Sequence, residues 1–162
     1  GLVWGPSVQS ERAENRYYHN KLGFSFEHPP GWQVTAGSRA IVASAPDGSA
    51  SLTLTIRRRD QASTPRSVLE SSATGSVANG LELDQAGLAG YTAVASSGGS
   101  ASRLAVIDYG SLSYLFDGRS DNFAAADPQL LAAIKSFRPM HPRERQAGNG
   151  YNLHQFFSAG LL

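Results

Sequence analysis

Residues 40–58, AIVASAPDGSASLTLTIRR, contain the clearest structural signal in the chain. Both halves of this stretch alternate apolar with small or polar residues, which is typical of strands that bury one face. Between the halves, Pro46-Asp47-Gly48 is a strong turn sequence, because glycine accepts the positive φ that a tight hairpin requires. We therefore predict an antiparallel hairpin with strands over residues 40–45 and 50–58.

Strand patterns continue on both sides of this hairpin. Upstream, residues 22–26 alternate apolar with small or polar side chains, and Pro29-Pro30-Gly31 separates them from a short strand over residues 32–35. Residues 104–107 are apolar on both faces, which predicts a central position in the sheet. Downstream, glycine-bearing turns connect four further segments with strand patterns. These segments are residues 81–85, 90–96, 102–109 and 112–117.

Two segments carry the start signals of helices. Thr64 followed by Pro65 predicts an N-cap and a first helical position, and a short apolar stripe follows them. Asp127 followed by Pro128 predicts the same kind of start for a second helix, which Pro139 ends. The apolar stripe of the second helix consists of Leu130, Leu131, Ile134 and Phe137.

The predicted order of elements is four strands, a helix, four strands and a helix. Strands joined by tight turns pair antiparallel, and amphipathic helices must cover a face of the sheet. The predicted fold class is therefore α+β, with an antiparallel sheet flanked by helices. We predict a single domain over residues 21–140, preceded by an N-terminal arm or linker over residues 1–20. Residues 141–162 are predicted to be an extended tail, whose apolar end is a candidate for weak contact with a second copy.

Composition and charge exclude several classes of function. The 162 residues include 14 basic and 13 acidic side chains, and a net charge of +1 gives no field that gathers nucleic acid. The chain has no cysteine, which excludes disulfides and cysteine-based metal sites. No stretch approaches the roughly 18 consecutive apolar residues of a membrane span. We therefore expect neither a nucleic-acid partner nor insertion into a membrane.

The sequence contains no motif that marks a catalytic or metal site. The four histidines are far apart in the sequence: His19, His28, His141 and His154. The HExxH signature of zinc peptidases is absent, and so is the GxSxG motif of serine hydrolases. Gly98-Gly99 joins two predicted strands and opens no helix, which favours a hairpin over a phosphate-binding loop. We therefore expect no catalytic residue, no metal site and no cofactor in this chain.

Two groups of side chains are candidates for contact with a partner. Arg57, Arg58 and Arg59 form a charge run, which is typical of a partner or anion contact or of a solvated strand end. Several aromatic residues are typical of a carbohydrate or peptide platform, or of side chains that pack in the core or dock the N-terminal arm. They are Trp4, Tyr17, Tyr18 and Trp32. The predicted partner contacts are Arg57, Arg58, Arg59, Trp4 and Tyr17.

Five short segments carry a resemblance to a known family. They are GLVWG at residues 1–5, NRYYH at 15–19, LGFSF at 22–26, PGW at 30–32 and IKSFRPM at 134–140. Together they resemble the C-terminal region of bacterial HtpX-like zincin metallopeptidases, a family predicted to lie in the cell envelope. The resemblance covers residues 1–145, with Asn20 at a position where the family usually has proline.

This resemblance implies a fold, a location and a cofactor elsewhere. In that family the corresponding region follows the protease domain and looks like a PsbP-like α/β/α sandwich, so the resemblance implies the same fold here. It also implies a periplasmic or cell-envelope location. The zinc ligands of the family, an HExxH pair and a downstream glutamate, have no matching positions in this chain. Zinc is therefore expected only in the catalytic domain of a parent protein.

The leading functional hypothesis is a non-catalytic accessory domain of a zinc metallopeptidase. Such a domain would position a substrate or partner, or regulate access to the active site, and its partner would be the upstream protease domain or a protein substrate. The chain begins at Gly1 rather than at methionine, which is how an excised segment begins. The alternative is a stand-alone PsbP-like envelope protein that binds a small ligand or a protein complex. An independent hydrolase is the third hypothesis.

Overall fold

The structure is a computed structural model that describes residues 15–144. Within this range its main elements are ten strands, two α-helices and a 3₁₀ turn, and residues 142–144 are also helical. In chain order they are β1 (Arg16–His19), β2 (Phe24–Glu27), β3 (Gln33–Ala36), β4 (Ala40–Ser44), β5 (Ala50–Arg58), α1 (Pro65–Ser72), β6 (Ser76–Leu83), the 3₁₀ turn (Gln85–Gly87), β7 (Gly90–Ser97), β8 (Ser100–Tyr109), β9 (Leu112–Ser120), α2 (Phe123–Lys135) and β10 (Arg138–Pro139).

The strands form two sheets in which all neighbours pair antiparallel. The large sheet has seven strands in the order β3-β4-β5-β9-β8-β7-β6, and the small sheet has three in the order β1-β2-β10. Helix α1 packs on β7 and β8, whereas α2 contacts β8, β9 and β2. Alternate residues of β8 contact the two helices, so the helices lie on opposite faces of the large sheet. The predicted α+β class, with an antiparallel sheet flanked by helices, is confirmed.

The predicted hairpin of residues 40–58 is present as β4 and β5. Ile41 pairs with Leu54 and Ala43 pairs with Leu52, and all four side chains are buried on the α2 face of the sheet. Gly48 has a φ of +75°, as the turn between the strands requires. Strand β8 has a partner on each side, so the predicted central position of residues 104–107 is also confirmed.

Two short strands were not predicted. Residues 16–19, which lie in the predicted arm, form β1 and pair with β2, and β10 pairs with the other edge of β2. The predicted strand over residues 81–85 was placed too late, because β6 spans Ser76–Leu83. The first seven residues of this edge strand are exposed, so they lack the alternation that indicates a strand.

Helix α2 begins one turn earlier than the sequence pattern predicted. Asn122 is its N-cap residue, and Pro128 lies inside the helix rather than at its first position. Asp127 is therefore not a cap; its carboxylate accepts two hydrogen bonds of 2.7 Å from the buried guanidinium of Arg103. The alanines that precede Asp127 extend the helix toward its N-terminus, because alanine has the highest helix propensity.

The main core lies between the large sheet, α2 and the small sheet. Phe24 and Phe26 of β2 point into it and meet aromatic rings from β9 and from the end of α2. The ring centroids of Phe24 and Phe137 lie 5.2 Å apart, and those of Phe26 and Phe116 lie 6.3 Å apart. A smaller core on the other face consists of Val68, Leu69, Tyr91, Ala93 and Val106.

The buried His19 predicts a dependence of stability on pH. Its ring stacks on Phe24 with 5.0 Å between centroids, and burial lowers the pKa of His19 from 6.5 to about 4. The unfolded chain therefore binds this proton more tightly than the folded chain. The contribution of His19 to the free energy of unfolding is fully present above about pH 6.5 and is lost as the pH falls through about 4. We expect the free energy of unfolding to decrease over that interval.

Urea denaturation of wild type and His19→Asn at several pH values checks this expectation. The variant should show a clearly shallower decrease between pH 6.5 and pH 4, since asparagine does not titrate. Glu144→Gln is the control. The Arg138 guanidinium lowers the pKa of Glu144 to about 2, so the titration of Glu144 changes the free energy of unfolding at lower pH than that of His19. Equal slopes for wild type and His19→Asn would contradict the assignment.

Candidate functional site

A groove crosses the end of the large sheet at which β5 begins and β9 ends. It consists of two adjoining hollows with volumes of about 440 and 510 Å³. Both are lined by Ser49, Ala50, Ser120 and Asp121, so they adjoin at these four residues. Their volumes lie within the range of about 300–1,000 Å³ that is usual for small-molecule sites. We name them the Trp32 hollow and the Arg119 hollow, and together they are the groove.

The Trp32 hollow has an apolar floor and a polar rim. Trp32 is half-buried, and one side of it packs against the main core. Ala50 and Ala126 are the buried residues of the floor. The polar groups that line this hollow come from three elements: Asp47, Ser49, Ser120, Asp121, Asn122 and Gln129. An apolar surface with a few convergent polar groups is the usual composition of a ligand site.

Backbone hydrogen bonds hold the rim of the groove together. The Ser49 N–H donates to a carboxylate oxygen of Asp47 at 3.0 Å, and this backbone donor is the main reason that the pKa of Asp47 is lowered. The Asp121 N–H donates to the Ser49 carbonyl at 2.9 Å. This bond joins the β4–β5 turn to the end of β9, so the backbone of these two rim segments is held together.

The Arg119 hollow is lined mainly by hydroxyl groups. The β7–β8 turn contributes Gly99 and the residues that follow it, and Phe123 of α2 is half-buried at its edge. Arg119 donates two hydrogen bonds of 3.1 Å to Asp117, and hydrogen bonding to that carboxylate raises the pKa of Arg119. The hydroxyl-bearing residues of this hollow are Ser49, Ser51, Ser100, Ser102 and Ser120.

The N-terminus of α2 opens onto the groove. The side chain of Asn122 forms no capping hydrogen bond within the described residues, and Asn122 and Ala125 line the Trp32 hollow. The first amides of a helix have no partner within the helix and carry a partial positive charge. This end of α2 therefore favours an acceptor oxygen on whatever occupies the groove.

The arginines predicted as partner contacts lie at the other end of β5. Arg57, Arg58 and Arg59 are all exposed, and the Arg59 guanidinium lies 3.5 Å from the buried carboxylate of Asp108. The nine residues of β5 separate this basic end from the groove by about 27 Å, at roughly 3.3 Å per residue. The structure therefore does not bring the arginines and the groove together.

The predicted aromatic contacts are divided between the core and the groove. Tyr17 is half-buried, with its ring 5.8 Å from that of Phe26, and burial raises the pKa of Tyr17 to about 12. Trp4 lies outside the described residues, as do the apolar residues of the tail. Trp32, which the sequence grouped with these aromatics, is the one that lines the groove. The groove itself was not predicted, because turn residues without a fixed spacing form it.

Two further geometric findings concern residues 15–144. Their histidine, aspartate and glutamate side chains form no group of three that could hold a metal ion. None of the helices in this range has the length and apolar character needed to cross a bilayer.

Comparisons with known proteins show a likeness of structure. The sequence matches no protein-family model and no curated protein. The structure is similar to cyanobacterial PsbP (CyanoP) from Synechocystis sp. PCC 6803, with a TM-score of 0.61 and 16% identity over 76% of this chain and 91% of that one. It is also similar to LpqN, involved in cell envelope biogenesis of Mycobacterium tuberculosis, with a TM-score of 0.50 and 12% identity over 87% and 99% of the two chains.

A third similar structure is a protein from Bacteroides thetaiotaomicron. Its TM-score is 0.53 at 12% identity, and the match covers 80% of this chain and 50% of that one. At these identities the likeness concerns the fold alone. The chain has a PsbP-like α+β fold, as the sequence motifs implied.

Proposed function

We propose that this chain is a non-catalytic binding domain of the cell envelope and that the groove is its binding surface. The observation that carries the proposal is that two hollows of ligand-binding size adjoin at Ser49, Ala50, Ser120 and Asp121. The side chains that line them include hydrogen-bond acceptors, donors and the aromatic rings of Trp32 and Phe123, which suit recognition of a ligand. The backbone bond between Asp121 and Ser49 holds the rim in place before a ligand binds.

The finer proposal is that the domain serves a zinc metallopeptidase of the envelope. In that role it positions a substrate or partner, or regulates access to the active site, and zinc belongs to the catalytic domain. The support is the motif resemblance, since LGFSF contributes Phe24–Phe26 to β2 at the centre of the small sheet and PGW supplies Trp32 to the groove. The envelope location is in keeping with LpqN, which is involved in cell envelope biogenesis.

Blocking the groove in the full-length gene product tests this role. Ala125→Arg places a large side chain at the Trp32 hollow from an exposed position, where substitutions usually change stability by less than about 0.5 kcal/mol. We expect cleavage of envelope proteins to decrease several-fold while hydrolysis of a short peptide is unchanged. Arg58→Ala at the far end of β5 is the matched control.

Two results would contradict the proposal at different levels. A full-length gene product without an upstream HExxH would overturn the link to a metallopeptidase and leave the binding role in place. Unchanged cleavage of envelope proteins by Ala125→Arg would show that the groove does not position the substrate.

A stand-alone envelope protein that binds a small ligand is the second candidate function. It is favoured by the structural matches, which cover 91% of the CyanoP chain and 99% of the LpqN chain, so the same fold makes up nearly the whole of those chains. An antibody blot of fractionated source cells separates the two candidates. A band clearly larger than this chain in the envelope fraction supports the accessory domain, and a band of the size of this chain supports the stand-alone protein.

A further inference from the structure

We propose that the groove binds an oligosaccharide, with one sugar ring placed against the indole of Trp32. This inference rests on the proposed function, because it takes the groove to be the binding surface. It goes further by assigning the chemical class of the ligand from the lining residues.

The indole of Trp32 provides the surface for a ring. The core fixes one side of the side chain, and the half-buried remainder lines the hollow. A sugar ring has an apolar face of C–H groups and a rim of hydroxyls. Such a ring buries its apolar face on an aromatic side chain while its hydroxyls remain free to form hydrogen bonds. The neighbouring alanines of the floor leave room for it.

The polar groups around Trp32 match hydroxyls rather than anions. Among the described residues, the charged groups that line this hollow are the carboxylates of Asp47 and Asp121. Ionised carboxylates only accept hydrogen bonds, whereas the amides of Asn122 and Gln129 both donate and accept. A hydroxyl both donates and accepts, so a neutral saccharide satisfies all four side chains. A phosphate or carboxylate ligand would be repelled by the two aspartates.

The sheet geometry favours the glycan of an envelope substrate, rather than its polypeptide chain, as the part that lies in the groove. A peptide that adds to a sheet needs a free strand edge, and one that docks by side chains needs deep apolar pockets. The groove crosses the ends of β5, β9 and β8, each of which has a strand partner on both sides. The small residues of the Arg119 hollow are mainly serines. They suit the hydroxyls of a second and third sugar ring better than apolar side chains.

Titration of the 162-residue chain with neutral trisaccharides tests the inference. The chain has two tryptophans, so a Trp4→Phe background leaves Trp32 as the single tryptophan reporter. The probes are maltotriose, built of glucose, and chitotriose, built of N-acetylglucosamine. We expect at least one of them to change the Trp32 fluorescence saturably, with a Kd of about 1 mM or below.

Variants read out by calorimetry establish where the trisaccharide binds. Trp32→Ala is expected to weaken binding at least about tenfold, which corresponds to about 1.4 kcal/mol, whereas Trp32→Phe keeps a ring and should retain most of the affinity. Arg58→Ala is expected to have no effect. The circular dichroism spectrum of each variant shows that it is folded. Absence of saturable binding by both trisaccharides, or equal binding by wild type and Trp32→Ala, would overturn the inference.

The same titrations separate this inference from the proposed function. A mixture of unfolded envelope peptides serves as a third probe. One outcome is that the peptides bind the wild-type chain but not Ala125→Arg, and that neither trisaccharide binds. This outcome would overturn the proposal of a saccharide ligand and leave the proposed binding role in place. If no probe binds and Ala125→Arg also leaves the full-length protein unchanged, both are overturned.

Discussion

Replacing Phe137 by alanine is expected to lower the free energy of unfolding by about 3–5 kcal/mol, the usual loss for a buried aromatic side chain. Phe137 is fully buried directly after the end of α2. Its ring centroid lies 5.2 Å from that of Phe24, 4.9 Å from Tyr114 and 5.8 Å from Phe116. These three rings belong to β2 and β9, so Phe137 connects the small sheet to the large one. Stiff aromatic walls close poorly over the cavity that alanine would leave.

Urea denaturation followed by circular dichroism measures this loss. Phe137→Leu is the matched control, since it keeps much of the volume and is expected to cost less than half as much. A loss below about 1 kcal/mol for Phe137→Ala would contradict the central position of this ring in the core. A loss near the upper limit would be a large part of the total stability of an ordinary domain, which is about 5–15 kcal/mol.

Asp127→Ala is expected to destabilise the chain by about 2–4 kcal/mol, because it leaves the guanidinium of Arg103 buried without its carboxylate. The side chain of Arg103 is 7% exposed and that of Asp127 is 23% exposed. Among the interactions described, Arg103 then keeps its hydrogen bond of 3.3 Å to the Thr92 hydroxyl. Because Asp127 is partly exposed to water, the expected loss in the free energy of unfolding is smaller than the loss for a fully buried ion pair.

The double variant Arg103→Met/Asp127→Leu is the informative control. Replacing both charged groups by apolar side chains removes the unpaired charge, so most of the stability should return. Urea denaturation of the two single variants and the double variant forms a complete cycle. Additive losses in that cycle would show that the two side chains do not interact, and would contradict the pairing of α2 with β8.

The sequence alone predicts the strands and helices that are marked by a local pattern of residues. The hairpin of residues 40–58 has alternation and a glycine turn, and both are sufficient to define β4 and β5. The strands β1 and β10 have no comparable signal, because each has at most four residues and is defined by pairing with β2. Asp127-Pro128 matches a helix start, but Asp127 instead pairs with Arg103, which is 24 residues away in sequence.

The groove lies beyond what a single sequence predicts. Residues near positions 32, 48, 100 and 120 line it, and the sheet order β3-β4-β5-β9-β8 brings them together. Serine, alanine and glycine in turns are common in any chain, so no spacing distinguishes these. Trp32 was the one member that its residue type marked as a candidate. The arginine run had the stronger sequence signal, yet it lies at the other end of β5.

Amide chemical-shift mapping of the 162-residue chain tests most directly whether the groove is the functional surface. Nitrogen-15 spectra are recorded with and without a soluble digest of envelope glycans and proteins. If the groove is the binding surface, the shifts are concentrated around Trp32, Ser49 and Asp121, and the same residues are unaffected in Ala125→Arg. Shifts confined to Arg57, Arg58 and their neighbours would contradict it and would make the basic end of β5 the binding surface.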